Sequence, residues 1–180
     1  MNTRNVQLRK MTISAMMLAF ALLLPLLTGQ LQYFGQMLCP MHLPILLCGF
    51  LCGPVFGFAI GLAAAPLRSI LFGMPKMPNA LYMAAELAIY GLLAGLFYKI
   101  FPKKKPFIYL SLILAMIGGR IVYAIVFLLA NTAGTDTFHI LIKQIISATV
   151  LTAWPGMILQ IILIPFILII LEKITKRKYI

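Results

Sequence analysis

The sequence predicts an all-α polytopic membrane protein, a bundle of six transmembrane helices. Three observations carry this reading. The 180 residues are 63% hydrophobic, with a mean hydropathy of +1.05, more apolar than a water-facing surface tolerates. From Met11 to Leu67 there is no Asp, Glu, Lys or Arg, and a charge at the bilayer centre costs about 2.5–3.5 kcal/mol on insertion scales. A spanning helix takes about 20 apolar residues, which leaves room for roughly six spans and short loops. The chain therefore reads as a single integral membrane domain over 1–180.

The elements follow in order. The first helix covers about 11–27. Arg9 and Lys10 precede it as in a signal peptide, but no small-residue cleavage pattern follows, so the helix is read as retained. A short second helix, about 41–52, ends at the Gly53-Pro54 turn. The third, about 55–72, stops at a loop with two prolines, 73–78. The fourth, about 79–101, begins at Asn79, a favoured N-cap type, and stops before Pro102. The fifth, about 107–130, is broken by Asn131–Gly134. The segment 137–153, with Lys143 and Gln144, reads as an amphipathic or re-entrant helix. The sixth, about 155–171, opens on Pro155, favourable in a first turn, and Pro165 is expected to kink it.

The formal net charge is +12. Its distribution argues against nucleic acid, because the basic residues sit in short blocks between apolar segments, where they fix topology. One side of the membrane receives Arg4, Arg9, Lys10, Lys99, Lys103, Lys104, Lys105, Lys173, Lys176, Arg177 and Lys178, and the other only Lys76 and Lys143. The positive-inside rule then places both termini in the cytoplasm of a cell with this chain in its plasma membrane. Cys39, Cys48 and Cys52 form no CxxC pair, and Cys39 with His42 is too little for a metal site. No cofactor is implied.

Four polar residues remain inside the helices: Arg68, Glu86, Arg120 and Gln160. At 1.5 Å per residue they lie roughly 6, 10, 15 and 9 Å below the less basic face. Such groups usually face an interior cavity and mark a ligand pathway. Tyr82, Tyr123, Trp154, His42 and Asn79 sit near the same rim as further ligand contacts. A structural reading competes: Glu86 pairing with Arg120 or Arg68, and Gln160 bonding a backbone carbonyl. Two arginines against one glutamate hint at an anionic ligand, since a guanidinium suits a carboxylate or phosphate.

Enzyme signatures are missing. There is no GxxxxGK[ST] loop, no HExxH, and the one aspartate, Asp136, lies in a loop. The chain is read as a non-enzyme. Small residues repeat at four-residue spacing: Ala15 and Ala19, then Gly57, Gly61 and Ala65, then Gly91 and Gly95. Such faces let helices approach closely. Ala15 and Ala19 are candidates for docking another membrane protein.

Short motifs follow one another along the chain: Ala15-Met16-Met17-Leu18-Ala19, Pro40-Met41-His42-Leu43-Pro44 with Gly49 and Gly53-Pro54, and Gly73-Met74-Pro75. Glu86-Leu87-Ala88 with Tyr90-Gly91, Gly119-Arg120-Ile121-Val122-Tyr123, and Pro155-Gly156 with Gln160 complete the set. In their order and spacing these motifs resemble the substrate-binding S components of energy-coupling factor (ECF) vitamin transporters. The resemblance runs from Met11 to Glu172. It implies a six-helix bundle that captures a small vitamin from outside. It also implies three partners, a membrane coupling subunit docked on Ala15 and Ala19 and two ATPases. The Met-His-Leu-Pro and Gly-Met-Pro patterns look similar to the pantothenate branch. A six-helix scaffold of the morphogenesis type and a stand-alone carrier or channel stay open as rivals.

Overall fold

A computed structural model describes residues 3–27, 39–102, 105–131 and 154–175. They form six helices: α1 (Thr3–Leu27), α2 (His42–Cys52), α3 (Pro54–Phe72), α4 (Asn79–Ile100), α5 (Lys105–Asn131) and α6 (Trp154–Thr175). Five are long and apolar enough to cross a membrane, α2 being the exception. The expected segment 137–153 lies outside the described residues.

Most boundaries match the sequence reading to within two residues. The exceptions are the start of α1 and the end of α6, where polar residues continue the helix past its apolar stretch. Apolar patterning marks only the part of a helix that lipid or protein covers, while the backbone bonds run on. Asn79 is not an N-cap. Pro78 holds that position and no side chain caps the helix. The preceding turn makes a cap unnecessary, because the Ala80 and Leu81 N–H groups donate to the carbonyls of Lys76 (3.2 Å) and Pro78 (2.9 Å). The loop after α3 begins at Gly73, a left-handed C-cap residue (φ 70°) whose N–H donates to the Ser69 carbonyl at 2.9 Å. Pro165 lies within α6, whose helix continues through it.

Residue contacts fix how the helices run. Gly57 and Gly61 of α3 face Gly91 and Leu87 of α4, so these two are antiparallel. Tyr90 and Tyr82 of α4 meet Gly119 and Phe127 of α5, again antiparallel. On α2, His42 lies by Glu86 and Gly49 by Gly91, so α2 runs parallel to α4. Ser14 of α1 accepts a 3.4 Å bond from the Cys48 thiol, and Arg68 of α3 reaches the Leu22 carbonyl of α1.

The centre of the bundle is a three-way backbone contact. A Cβ on Gly49 or on Gly57 would stand 2.5 Å from the Gly91 carbonyl oxygen. A Cβ on Gly91 would overlap Gly57 outright, and one on Gly61 the Leu87 carbonyl. Only glycine lets α2, α3 and α4 meet this closely, as small-residue faces do in membranes. Around this point pack Ile45, Leu46, Phe50, Ala64, Ala65, Leu87, Tyr90 and Ala94, all buried. The 11 residues of α2 extend about 16 Å, half the hydrocarbon thickness. The helix therefore starts inside the bundle, where His42 is buried, and its first turn lies at the depth of Glu86.

Replacing Gly91 by Val should lower stability by about 1–3 kcal/mol or more, since the clash is with backbone that cannot turn aside. Gly118→Ala meets only the tip of the Leu93 side chain and should cost less. Thermal unfolding of both variants in detergent checks the order. Equal midpoints would contradict the three-way contact.

Candidate functional site

Glu86 is 2% exposed and lies one turn from Tyr90 on the same face of α4. An isolated carboxylate there would be costly, since desolvation penalises its charged form by several kcal/mol. Three helices supply compensation. The Tyr90 hydroxyl donates to Glu86 Oε1 at 2.9 Å, and Nη1 of Arg120 on α5 lies 3.0 Å from the same oxygen. Nε2 of His42, the first residue of α2, is 3.7 Å away. The N-terminal turn of α2, with its positive dipole end, also lies beside the carboxylate.

Local sequence explains each placement. Gly119 precedes Arg120 and has no side chain, so the Tyr90 ring packs where a Cβ would stand and holds its hydroxyl on Glu86. The Gly49–Gly91 contact sets α2 against α4 in the register that brings His42 to Glu86. The His42 ring also leans on Tyr90, centroid to centroid 5.3 Å. Ahead of His42, Cys39 takes a positive φ of 46°. Its carbonyl accepts the His42 N–H at 3.0 Å and the Gln160 side-chain amide at 3.3 Å. Gln160, on α6, thus clamps the turn that leads into α2.

The cluster is not fully satisfied. Among the described residues, Nε of Arg120 and both ring nitrogens of His42 are buried without a hydrogen-bond partner. Buried polar atoms in native proteins are nearly always paired, so three orphans at one spot call for a partner.

The sequence-predicted residues divide between this cluster and its surroundings. Glu86, Arg120 and His42 meet in one cluster, and Gln160 joins it through the Cys39 carbonyl. Tyr82 and Tyr123 both pack on Phe127, at 5.6 and 6.1 Å between ring centroids, above the cluster on α4 and α5. Arg68 does not join. Its guanidinium donates to the Leu22 carbonyl at 2.7 Å and lies over the Phe72 ring. Asn79 and Trp154 are exposed at the starts of α4 and α6. Of the two pairings open to Glu86, the structure takes Arg120. Tyr90 and Cys39 are the two members that the sequence reading misses. Tyr90 is detectable as the i+4 neighbour of Glu86, while Cys39 contributes a backbone carbonyl that no side-chain pattern announces.

Fold and cluster together define a polytopic helical membrane protein with a polar interior site. The family model for the substrate-specific component of ECF transporters matches residues 9–172, and the chain belongs to that family. No curated protein and no solved structure matched the chain. The protein is thus a substrate-binding transport component and not an enzyme, of a family that works with a transmembrane subunit and ATPases.

Breaking one side of a buried ion pair typically costs about 3–5 kcal/mol. Glu86→Gln and Arg120→Gln should each lower the unfolding temperature of the purified protein, and the double variant should recover part of the loss. Additive losses in that cycle would show that the two side chains do not depend on each other.

Proposed function

We propose that this chain captures a small carboxylate vitamin, pantothenate first among them, at the Glu86–Arg120–His42 cluster. The observation that carries the proposal is the set of orphan atoms. Glu86 occupies Nη1 of Arg120 and leaves Nε to donate to a ligand, with the imidazole of His42 alongside. The choice of pantothenate draws on the resemblance of Met41-His42-Leu43-Pro44 and Gly73-Met74-Pro75 to that branch. Gly73 and Met74 are exposed at the end of the bundle nearer the cluster, where Tyr82 and Tyr123 also lie. That end carries Lys76, and Arg4, Arg9, Lys10, Lys99 and Lys173 belong to the other. The ligand therefore enters from outside and the basic end is cytoplasmic. A cysteine at position 104 should label only from the cytoplasmic side, and labelling from outside would invert this orientation.

The membrane coupling subunit docks on α1, and two ATPases complete the complex. Ala15 and Ala19 are both exposed on α1, among exposed Met11, Met16, Phe20 and Leu23. The side chains there are small enough for close helix approach.

Purification from native membranes, with mass spectrometry of bound small molecules, tests the proposal. Two nucleotide-binding subunits should co-purify, and pantothenate should bind in preference to hydroxymethylpyrimidine and pyridoxine. Arg120→Gln should weaken that binding by about 1.5–3 kcal/mol, the range for a hydrogen bond to a charged group. Preference for a ligand without a carboxylate would contradict the assignment.

A further inference from the structure

The charge count of the cluster is unusual for a site that takes an anion. Glu86 and Arg120 stand 3.0 Å apart and cancel. Bringing a carboxylate into that neutral and buried surrounding leaves one negative charge uncompensated, at a desolvation cost of several kcal/mol. The missing positive charge has one candidate within the cluster. His42 is 4% exposed, neither ring nitrogen has a hydrogen-bond partner among the described residues, and imidazole is the side chain that changes charge between about pH 5 and 8. Nε2 faces Glu86 Oε1 at 3.7 Å, and Nδ1, on the opposite side of the ring, has no hydrogen-bond partner among the described residues. Glu86 and Tyr90 from α4 are in contact with His42, Arg120 from α5 holds the same Glu86 oxygen, and Cys39 of the preceding turn accepts the His42 backbone N–H.

We infer that an anionic ligand is captured together with one proton, which His42 takes up as the ligand binds. The inference rests on the carboxylate reading of the proposed function and deepens it. The proton comes from solvent and is lost again when the ligand leaves, so no other co-reactant is needed. The sign follows from linkage. The complex holds the proton more tightly than the empty site does, so affinity is full in mild acid. It then falls as pH rises through the range in which the complex loses the proton.

The test is calorimetric titration of the purified full chain with pantothenate, from pH 6 to 8.5, in buffers of different ionisation enthalpy. The expected result is uptake of up to one proton per ligand, with Kd rising by as much as about tenfold per pH unit at the alkaline end. The neutral alcohol analogue of pantothenate should bind without uptake. His42→Gln keeps a donor and an acceptor but takes no proton, so both uptake and pH dependence should vanish. Should that variant fail to fold, ¹⁵N-histidine spectra of the wild-type protein give the same answer. The chain has two histidines, and His139→Gln assigns the signal of His42, which should become that of imidazolium on saturation. Binding with no uptake and a flat Kd would overturn the inference and leave the substrate reading standing. Uptake that persists in His42→Gln would overturn the assignment to His42. A folded protein that ignores pantothenate even at pH 6 would remove the carboxylate reading, and this inference with it.

Discussion

A carboxylate placed inside an apolar bundle must be compensated, and the arrangement of α2, α4 and α5 follows from that constraint. Glu86 draws Arg120 across from α5 and Tyr90 from one turn below, and it lies where α2 begins. Were α2 long enough to span the membrane, its first turn would sit at the surface. Its 11 residues instead start at the depth of the carboxylate, and this buries His42. The short helix thereby brings its N-terminus and the His42 imidazole beside the carboxylate.

The glycine contacts serve the same end. Interdigitating large side chains would hold α2, α3 and α4 farther apart than the contact at Gly49, Gly57 and Gly91 does. At the wider spacing His42 would not reach Glu86. Gly119 repeats the device on α5, where the missing side chain makes room for the Tyr90 ring. Packing in the core and polar geometry at the site are thus one problem, solved by the same small residues.

The fold is largely legible in the sequence because its signals are one-dimensional. Long apolar runs, the Gly53-Pro54 and 73–78 breaks and the basic blocks each act along the chain. Depth is one-dimensional too, so counting residues along each helix is enough to put Glu86, Arg120 and Gln160 in one layer. Rotation about a helix axis is not. Arg68 shares the end of the bundle with the cluster but points to the Leu22 carbonyl and Phe72 instead. Asn79 and Trp154 share it and are exposed. Gln160 has the expected depth and bonds a backbone carbonyl, as the structural reading expects, but which carbonyl, that of Cys39, only the fold decides. A backbone acceptor of this kind, formed by a positive φ before a helix, leaves no mark in side-chain patterning.

In membership, the chain is a substrate-specific component of an ECF transporter. In the proposed binding mode Arg120 meets the ligand through Nε while Nη1 stays with Glu86. The resonance of the Arg120 Nε–H group, assigned by its loss in Arg120→Lys, reports on this directly. Saturation with pantothenate should shift that resonance and slow its exchange with water. A resonance unmoved at full occupancy would show that the ligand binds elsewhere and that the cluster only holds the helices together.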